Sequence, residues 1–180
     1  MQKNFIAIAC INKTLSLGRD GEQLYYIRGD LANFKRMTTG NVVIMGRNTF
    51  EKTLNSQPLA GRVNIIITSK EDYWIEPNVN IQDVDVYIAH STEEAAEYCQ
   101  MLFPDKEWFV IGGGVVYKDF AEKNLLGEMR LTIVNDDEDG DAKFPEFNTN
   151  EWYEYYRSYT QRDQINGITY RFVVLKKIEK

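Results

Sequence analysis

Glu107-Trp-Phe-Val-Ile-Gly-Gly-Gly-Val-Val-Tyr117 is the stretch whose reading decides the fold. Trp108 to Ile111 form a short apolar run of strand-forming residues, long enough to cross a sheet covered on both faces. Gly112, Gly113 and Gly114 end it abruptly, and Val115-Val-Tyr-Lys-Asp-Phe-Ala121 resumes with apolar residues that suit a helix. The order strand, glycines, helix brings bare backbone and a helix N-terminus up to a ligand phosphate. A tight turn between two buried elements would use the same residues, so this stretch by itself leaves both readings open.

The pattern recurs along the chain. Val42 to Met45 is a buried strand that runs through Gly46-Arg-Asn-Thr49 into a short helix from Phe50 to Leu54. Val63 to Ile67 is a third buried strand, ending in Thr68-Ser69-Lys70. Phe5 to Ile11 is apolar at both parities and reads as a strand buried on two sides, followed by a long polar loop from Asn12 to Gln23. Arg28 to Thr38 reads as a helix, with Asp30 in its first turn and Lys35 and Arg36 in its last. Asp30, Phe34 and Met37 share one face of that helix, and Leu31 adjoins Phe34, so a carboxylate stands beside an apolar strip.

Residues 71–85 read as acidic and irregular, Val86 to Ala89 as a short strand, and Thr92 to Leu102 as a helix. Glu128 to Val134 is a further strand, followed by an acidic loop from Asn135 to Asp141. Trp152 to Thr160 and Ile168 to Leu175 alternate as two closing strands, with Asn166-Gly167 as the hairpin signal. Strands alternating with helices, then a closing pair, predict one α/β domain over residues 1–180. Its central twisted sheet is mostly parallel, with an antiparallel C-terminal strand and helices on both faces. Ligands of such sheets lie at the carboxyl ends of strands, where Gly46, Ser69 and Gly112 fall.

The composition agrees and excludes other classes. The 180 residues are 43% hydrophobic and 27% charged, as expected for a soluble globular chain. A formal net charge of −6 with no basic stripe argues against nucleic-acid binding, so an anionic ligand must be met by a few local Arg or Lys residues. Cys10 and Cys99 are far apart and lack metal or redox spacing, which suits free thiols in a reducing compartment. His90 is the single histidine, so no histidine zinc site is expected, and its place at a strand end reads as structural. There is no signal-peptide pattern and no run of transmembrane length, which predicts a cytoplasmic protein with no membrane partner.

Taken together, the spaced set Gly18, Asp30-Leu-Ala-Asn-Phe-Lys35, Val43-Ile-Met-Gly-Arg-Asn-Thr-Phe50, Pro58-Leu-Ala-Gly-Arg62 with Asn64, Val110-Ile-Gly-Gly-Gly-Val-Val-Tyr117, Leu131-Thr-Ile133 and Gly140-Asp-Ala-Lys-Phe-Pro145 resembles the dihydrofolate reductase family. The resemblance runs from Phe5 to about Phe147. It implies reduction of 7,8-dihydrofolate to tetrahydrofolate by NADPH, with hydride passing from nicotinamide C4 to pterin C6 and a water bringing the proton to N5. By the same resemblance Asp30, Tyr25 and Thr132 are the catalytic group: Asp30 binds the pterin 2-amino group and N3, and Thr132 supports it. Ile8 and Ile111 would offer backbone carbonyls, Leu31, Phe34 and Leu59 would pack on the substrate, and Arg62 would clamp its glutamate α-carboxylate. The cofactor would be held by Ala9, Leu17, Gly18, Gly46, Arg47, Asn48, Thr49, Ser69, Lys70, Gly112, Gly113, Gly114, Val115 and Tyr117. Within that group, Arg47 is expected on the 2′-phosphate and Thr49 on the pyrophosphate. Leu17-Gly18 is expected in a lid over the nicotinamide, and a cis bond at Gly112–Gly113. A monomer is the expected state.

Three departures from the family pattern stand out. Leu24-Tyr25-Tyr26 replaces the usual Pro-Trp pair, leaving Tyr25 to organise the pocket water. Val115 stands where a basic residue often meets the 2′-phosphate, which leaves that task to Arg47 and Lys70. Thr53-Leu-Asn-Ser-Gln57 looks slightly expanded. Two alternatives remain at this stage: a pyrimidine reductase of the same fold, as in riboflavin synthesis, and a folate- or nucleotide-binding protein without catalysis. The first should lack both Asp30 and Arg62.

Overall fold

Apolar side chains at both parities of Phe5–Ile11 must be covered from two sides, and this strand, β1, lies inside a sheet with a core on each face. The structure is a computed structural model that describes residues 4–74 and 84–178. After β1 come the short strands β2 (Ser16–Arg19) and β3 (Glu22–Gln23), helix α1 (Arg28–Thr38) and β4 (Val42–Gly46). A wide π-type turn (Thr49–Thr53) leads to β5 (Val63–Ile67), β6 (Asp85–Ala89), α2 (Thr92–Leu102), β7 (Trp108–Gly112), α3 (Gly114–Glu122) and β8 (Leu126–Val134). The chain closes with β9 (Ala142–Lys143), β10 (Trp152–Arg157), β11 (Gln161–Arg162) and β12 (Thr169–Lys177).

Among the described residues, nine strands form one sheet in the order β10-β12-β8-β1-β7-β4-β5-β6, with β11 also on β12. Every pair from β8 to β6 is parallel, whereas β12 meets β8, β10 and β11 antiparallel. Alternation sorts the side chains: Phe5, Ala7, Ala9 and Ile11 pack with Ala95, Cys99, Val116 and Phe120 from α2 and α3. Ile6 and Ile8 face the other way and pack with Val43, Met45, Phe109 and the α1 residues Phe34 and Met37. Helices on both faces and a mostly parallel sheet are therefore what the chain builds.

Several details differ from the sequence reading. Asn12 to Gln23 is not a loop throughout, because β2 and β3 pair with each other and β2 with β9 in a separate three-stranded sheet. Its strands are polar and two to four residues long, so they lack an apolar alternation to announce them. The helix expected from Phe50 is a π-type turn, with Leu54 N–H donating to Thr49 O at 3.1 Å and Ser56 N–H to Phe50 O at 2.9 Å. The expansion at Thr53–Gln57 is taken up there, with Asn55 and Ser56 at positive φ. The hairpin at Asn166-Gly167 joins β11 to β12, and the preceding strand β10 stops at Arg157. Residues 75–83 of the expected acidic irregular stretch lie outside the described residues.

Tyr155 is an extra residue in β10, since Glu154 faces Leu175 and Tyr156 faces Val174. β10 is the rim of the sheet and exposes Tyr153, Tyr155 and Tyr156. Among the described residues no helix is long and apolar enough to cross a membrane.

Candidate active site

Asp30 occupies the first turn of α1, and Thr132 lies on β8 opposite Cys10 of β1. The Thr132 hydroxyl donates to Asp30 Oδ1 at 2.5 Å. Burial raises the Asp30 pKa above the usual carboxylate range, and the Thr132 bond opposes that rise by favouring the charged form. Of the α1 residues only Thr38 is fully buried, so the apolar strip of Leu31, Phe34 and Met37 is half-open. Ile111 and Leu59 pack into the same apolar cluster as Phe34.

Arg62 lies near the other end of α1. Its Nε donates to Thr38 Oγ1 at 2.7 Å, its Nη1 donates to Ala60 O at 2.8 Å, and its guanidinium carbon is 5.8 Å from the Phe34 ring centroid. The residue is 8% exposed, not the solvated turn residue that its place after Gly61 suggests. Burial alone lowers its pKa, and among the described residues no carboxylate is paired with it. A buried guanidinium in that state is prepared for an anion. Asn64, fully buried, fixes the preceding loop: its Oδ1 accepts from Leu59 N–H at 2.8 Å, and its Nδ2 donates to Leu59 O at 3.0 Å and Arg62 O at 3.1 Å. Asp30 and Arg62 thus mark the two ends of one helix, about 12 Å apart at 1.5 Å per residue from Asp30 to Thr38.

Two strand–glycine junctions meet at the carboxyl edge of the sheet. Met45 is paired with Gly112, and the Gly112–Gly113 peptide bond is cis. The register between β4 and β7 jumps from Ile44–Val110 to Met45–Gly112, so Ile111 is left without a partner in the ladder. A Cβ on Gly46 would lie 3.0 Å from Val116 Cγ2, and one on Gly113 would lie 3.2 Å from Thr49 Oγ1. A Cβ on Gly114 would lie 2.5 Å from the Lys143 carbonyl oxygen, closer than a side chain tolerates. Gly113 caps α3 with no side-chain hydrogen bond, leaving the first helical N–H groups to meet an anion with bare backbone. These junctions fit a dinucleotide pyrophosphate.

The remaining expected residues are placed as follows. Tyr117 is buried, packs at a tilt against Phe144 with ring centroids 4.9 Å apart and donates its hydroxyl to Ile8 O at 2.6 Å, so one acceptor position of the Ile8 carbonyl is already used. Ala9 faces α3, on the opposite side of β1 from Ile8. Leu17 and Gly18 are in β2, Asn48 starts the π-type turn without a side-chain cap, and Val115 is exposed at the start of α3. Ser69 and Lys70 are exposed beyond β5, where His90 Nδ1 lies 3.1 Å from Thr68 O as a strand-end tie. Arg47 is held by Glu51, with Nη1 to Oε2 at 2.6 Å.

Tyr25 is buried and tied to loops on both sides. Its hydroxyl donates to Asp136 at 2.6 Å and accepts from Asn12 Nδ2 at 2.8 Å, and its ring packs with Ile27, Val134 and Tyr170. It is a fastening between the segment before α1 and the acidic loop, and its hydroxyl bonds run there and not to Asp30. Sequence reading missed that fastening, the Thr38 hydroxyl behind Arg62, and Cys10 beside Asp30. It also missed Glu51, although its spacing of four from Arg47 was a usable signal.

Comparison with known proteins places this geometry. The family model for dihydrofolate reductase matches residues 4–177. The dihydrofolate reductase of Neisseria gonorrhoeae is 33% identical over 173 residues, covering 96% of this chain and 97% of its own. That of Bacillus subtilis is 30% identical over 161 residues, covering 89% and 87% respectively. Among solved structures, dihydrofolate reductase from Enterococcus faecalis complexed with NADP(H) and RAB-propyl superposes with a TM-score of 0.83 at 25% identity, over 99% of each chain. With the family model spanning nearly all of the chain and relatives at 30% or more matched along most of their length, the chain belongs to the dihydrofolate reductase family.

Proposed function

We propose that this chain catalyses the NADPH-dependent reduction of 7,8-dihydrofolate to 5,6,7,8-tetrahydrofolate, acting as a cytoplasmic monomer. Membership of the family supports the reaction, and the Enterococcus faecalis relative, solved with NADP(H), supports the cofactor. The observation that carries the substrate reading is the half-buried Asp30 and the buried Arg62, not paired with each other, at the two ends of α1 with a half-open apolar strip between them. A ligand matching it has a hydrogen-bonding heterocycle at one end, a flat apolar middle and a carboxylate at the other.

Asp30, aligned by Thr132, binds the pterin 2-amino group and N3, and orients the ring. The carbonyls of Ile8 and Ile111 are offered to the pterin amino group, Ile111 being free of the β4–β7 ladder. Leu31, Phe34 and Leu59 exclude water from the ring and benzoyl group, and Arg62 takes the α-carboxylate with its remaining N–H groups. On the cofactor side, Gly113, Gly114 and Thr49 hold the pyrophosphate, Arg47 takes the 2′-phosphate, and Ser69 and Lys70 lie beside the ribose. Gly46, Asn48, Gly112, Val115 and Tyr117 shape that groove, with Ala9, Leu17 and Gly18 at the nicotinamide end. NADPH supplies the hydride when bound, and a water hydrogen-bonded within the pocket supplies the proton to N5. Tyr25 is a positioning residue for the lid segment.

Purified chain should consume NADPH absorbance only when dihydrofolate is added, and an Asp30→Ala variant should lose ~100-fold or more of that rate. Equal rates in the two proteins would sink the enzyme reading. Arg62→Leu should weaken dihydrofolate binding while leaving NADPH affinity in place, whereas equal loss of both would contradict the clamp.

A further inference from the structure

Arg47 is approached from one side by two residues that the reaction itself does not use. Glu51, four residues on, accepts from Nη1 at 2.6 Å, and the Tyr73 ring centroid lies 6.0 Å from the guanidinium carbon. Glu51 from the π-type turn and Tyr73 from the segment after β5 thus flank the same guanidinium. The Arg47 side chain is 25% exposed and that of Glu51 33%, which puts the pair at the rim and open to an incoming ligand. A guanidinium has five N–H donors in a planar fork. Glu51 takes from one edge of it, and Tyr73 covers a ring face, which leaves the remaining edge for an anion.

We infer that Glu51 is the specificity-determining partner of Arg47 and sets how strongly this chain prefers NADPH to NADH. The inference rests on the cofactor reading above and deepens it. The two cofactors differ by the 2′-phosphate alone, so only groups that sense that phosphate can separate them. Glu51 acts on it in two opposed ways. It fixes the plane of the Arg47 fork, and it places a full negative charge beside the position of a second anion. With Val115 at the start of α3 supplying no cation to offset it, the Glu51 charge lowers the advantage that Arg47 gives the phosphate. At the partly exposed rim the effect is modest and is screened by salt.

The test is a Glu51→Gln variant, which keeps the size of the side chain and an acceptor for Arg47 while removing the charge. Dissociation constants for NADPH and for NADH are measured by titration calorimetry at low and at physiological ionic strength, with dihydrofolate affinity as the control for an intact fold. The expected result is NADPH binding tighter by about threefold to tenfold at low salt, shrinking as salt rises, with NADH affinity unchanged. Unchanged or weaker NADPH binding, or an equal change for both cofactors, overturns the inference. Arg47→Gln separates the two levels: it should bring NADPH down toward the NADH value, with Lys70 keeping the remainder of the preference. If the unaltered chain binds neither cofactor, the cofactor reading fails. If Arg47→Gln lowers NADPH affinity and Glu51→Gln has no effect, only the role of Glu51 fails.

Discussion

With its carboxylate set among Thr132, Cys10 and the apolar strip of α1, Asp30 holds a proton more readily in the folded chain than in the unfolded one. Between the ordinary carboxylate range and that elevated value, the folded state binds the extra proton. Stability therefore falls as pH rises through the window, and the loss is complete above it. Asp30→Asn removes the charge while leaving an acceptor for the Thr132 hydroxyl. The expected outcome is a melting temperature at pH 7 higher by ~2–4 °C, with the gap closing at acid pH, alongside a collapse of turnover. Thermal unfolding of both proteins across pH checks it, and a lower melting temperature for Asp30→Asn at neutral pH would contradict it. The residue itself was legible, since a carboxylate beside Phe34 and Leu31 is odd for a structural helix. The hidden part was Arg62, because its burial depends on Thr38, which is close only once α1 lies against the loop before β5.

The segment from Asn12 to Leu24 is tied to partners more than a hundred residues away. Asn12 accepts from Thr14 N–H at 3.1 Å and Ser16 N–H at 3.0 Å and donates to Glu138 O at 2.7 Å, while Asp141 accepts from Asp20 N–H at 2.9 Å. Tyr25 joins the same network through Asn12 and Asp136. A Tyr25→Phe variant keeps the ring in its apolar cluster and loses both hydroxyl bonds. Each is worth about 1 kcal/mol or somewhat more, so amide exchange over residues 12–24 should quicken by ~10-fold while α2 and α3 keep their protection. Exchange mass spectrometry reads this, and uniform protection in the two proteins would show that the hydroxyl does not hold the segment. The same non-local dependence explains what the sequence hid. β1, β4, β5 and β7 are apolar enough to declare themselves, and α2 shows Ser91 as its cap, accepting from Glu94 N–H at 3.0 Å. β2, β3, β9 and β11 are two to four residues long and lack an apolar alternation; β3 and β11 pair across short local turns, and β2 is completed by the distant β9.

Across the whole molecule, the sheet separates two apolar layers and brings both halves of the site to one edge. That edge could be read from the glycines and the charges, but the strand order could not, because parallel neighbours leave no local mark. The opposite rim has its own chemistry. Tyr153, Tyr155, Tyr156 and Tyr159 form an exposed aromatic row on or just beyond β10, and a straight strand of that composition is a template onto which another chain can add. The inserted Tyr155 bends the template, and the Lys176 ammonium 3.8 Å from its ring centroid adds a charge there. The surplus residue therefore interrupts the straight edge onto which another chain would add. Deleting Tyr155 should straighten the rim and give concentration-dependent growth in light-scattering mass, with the unaltered chain staying at the mass of one copy. If both proteins keep that mass, the bend is not what keeps the molecules apart.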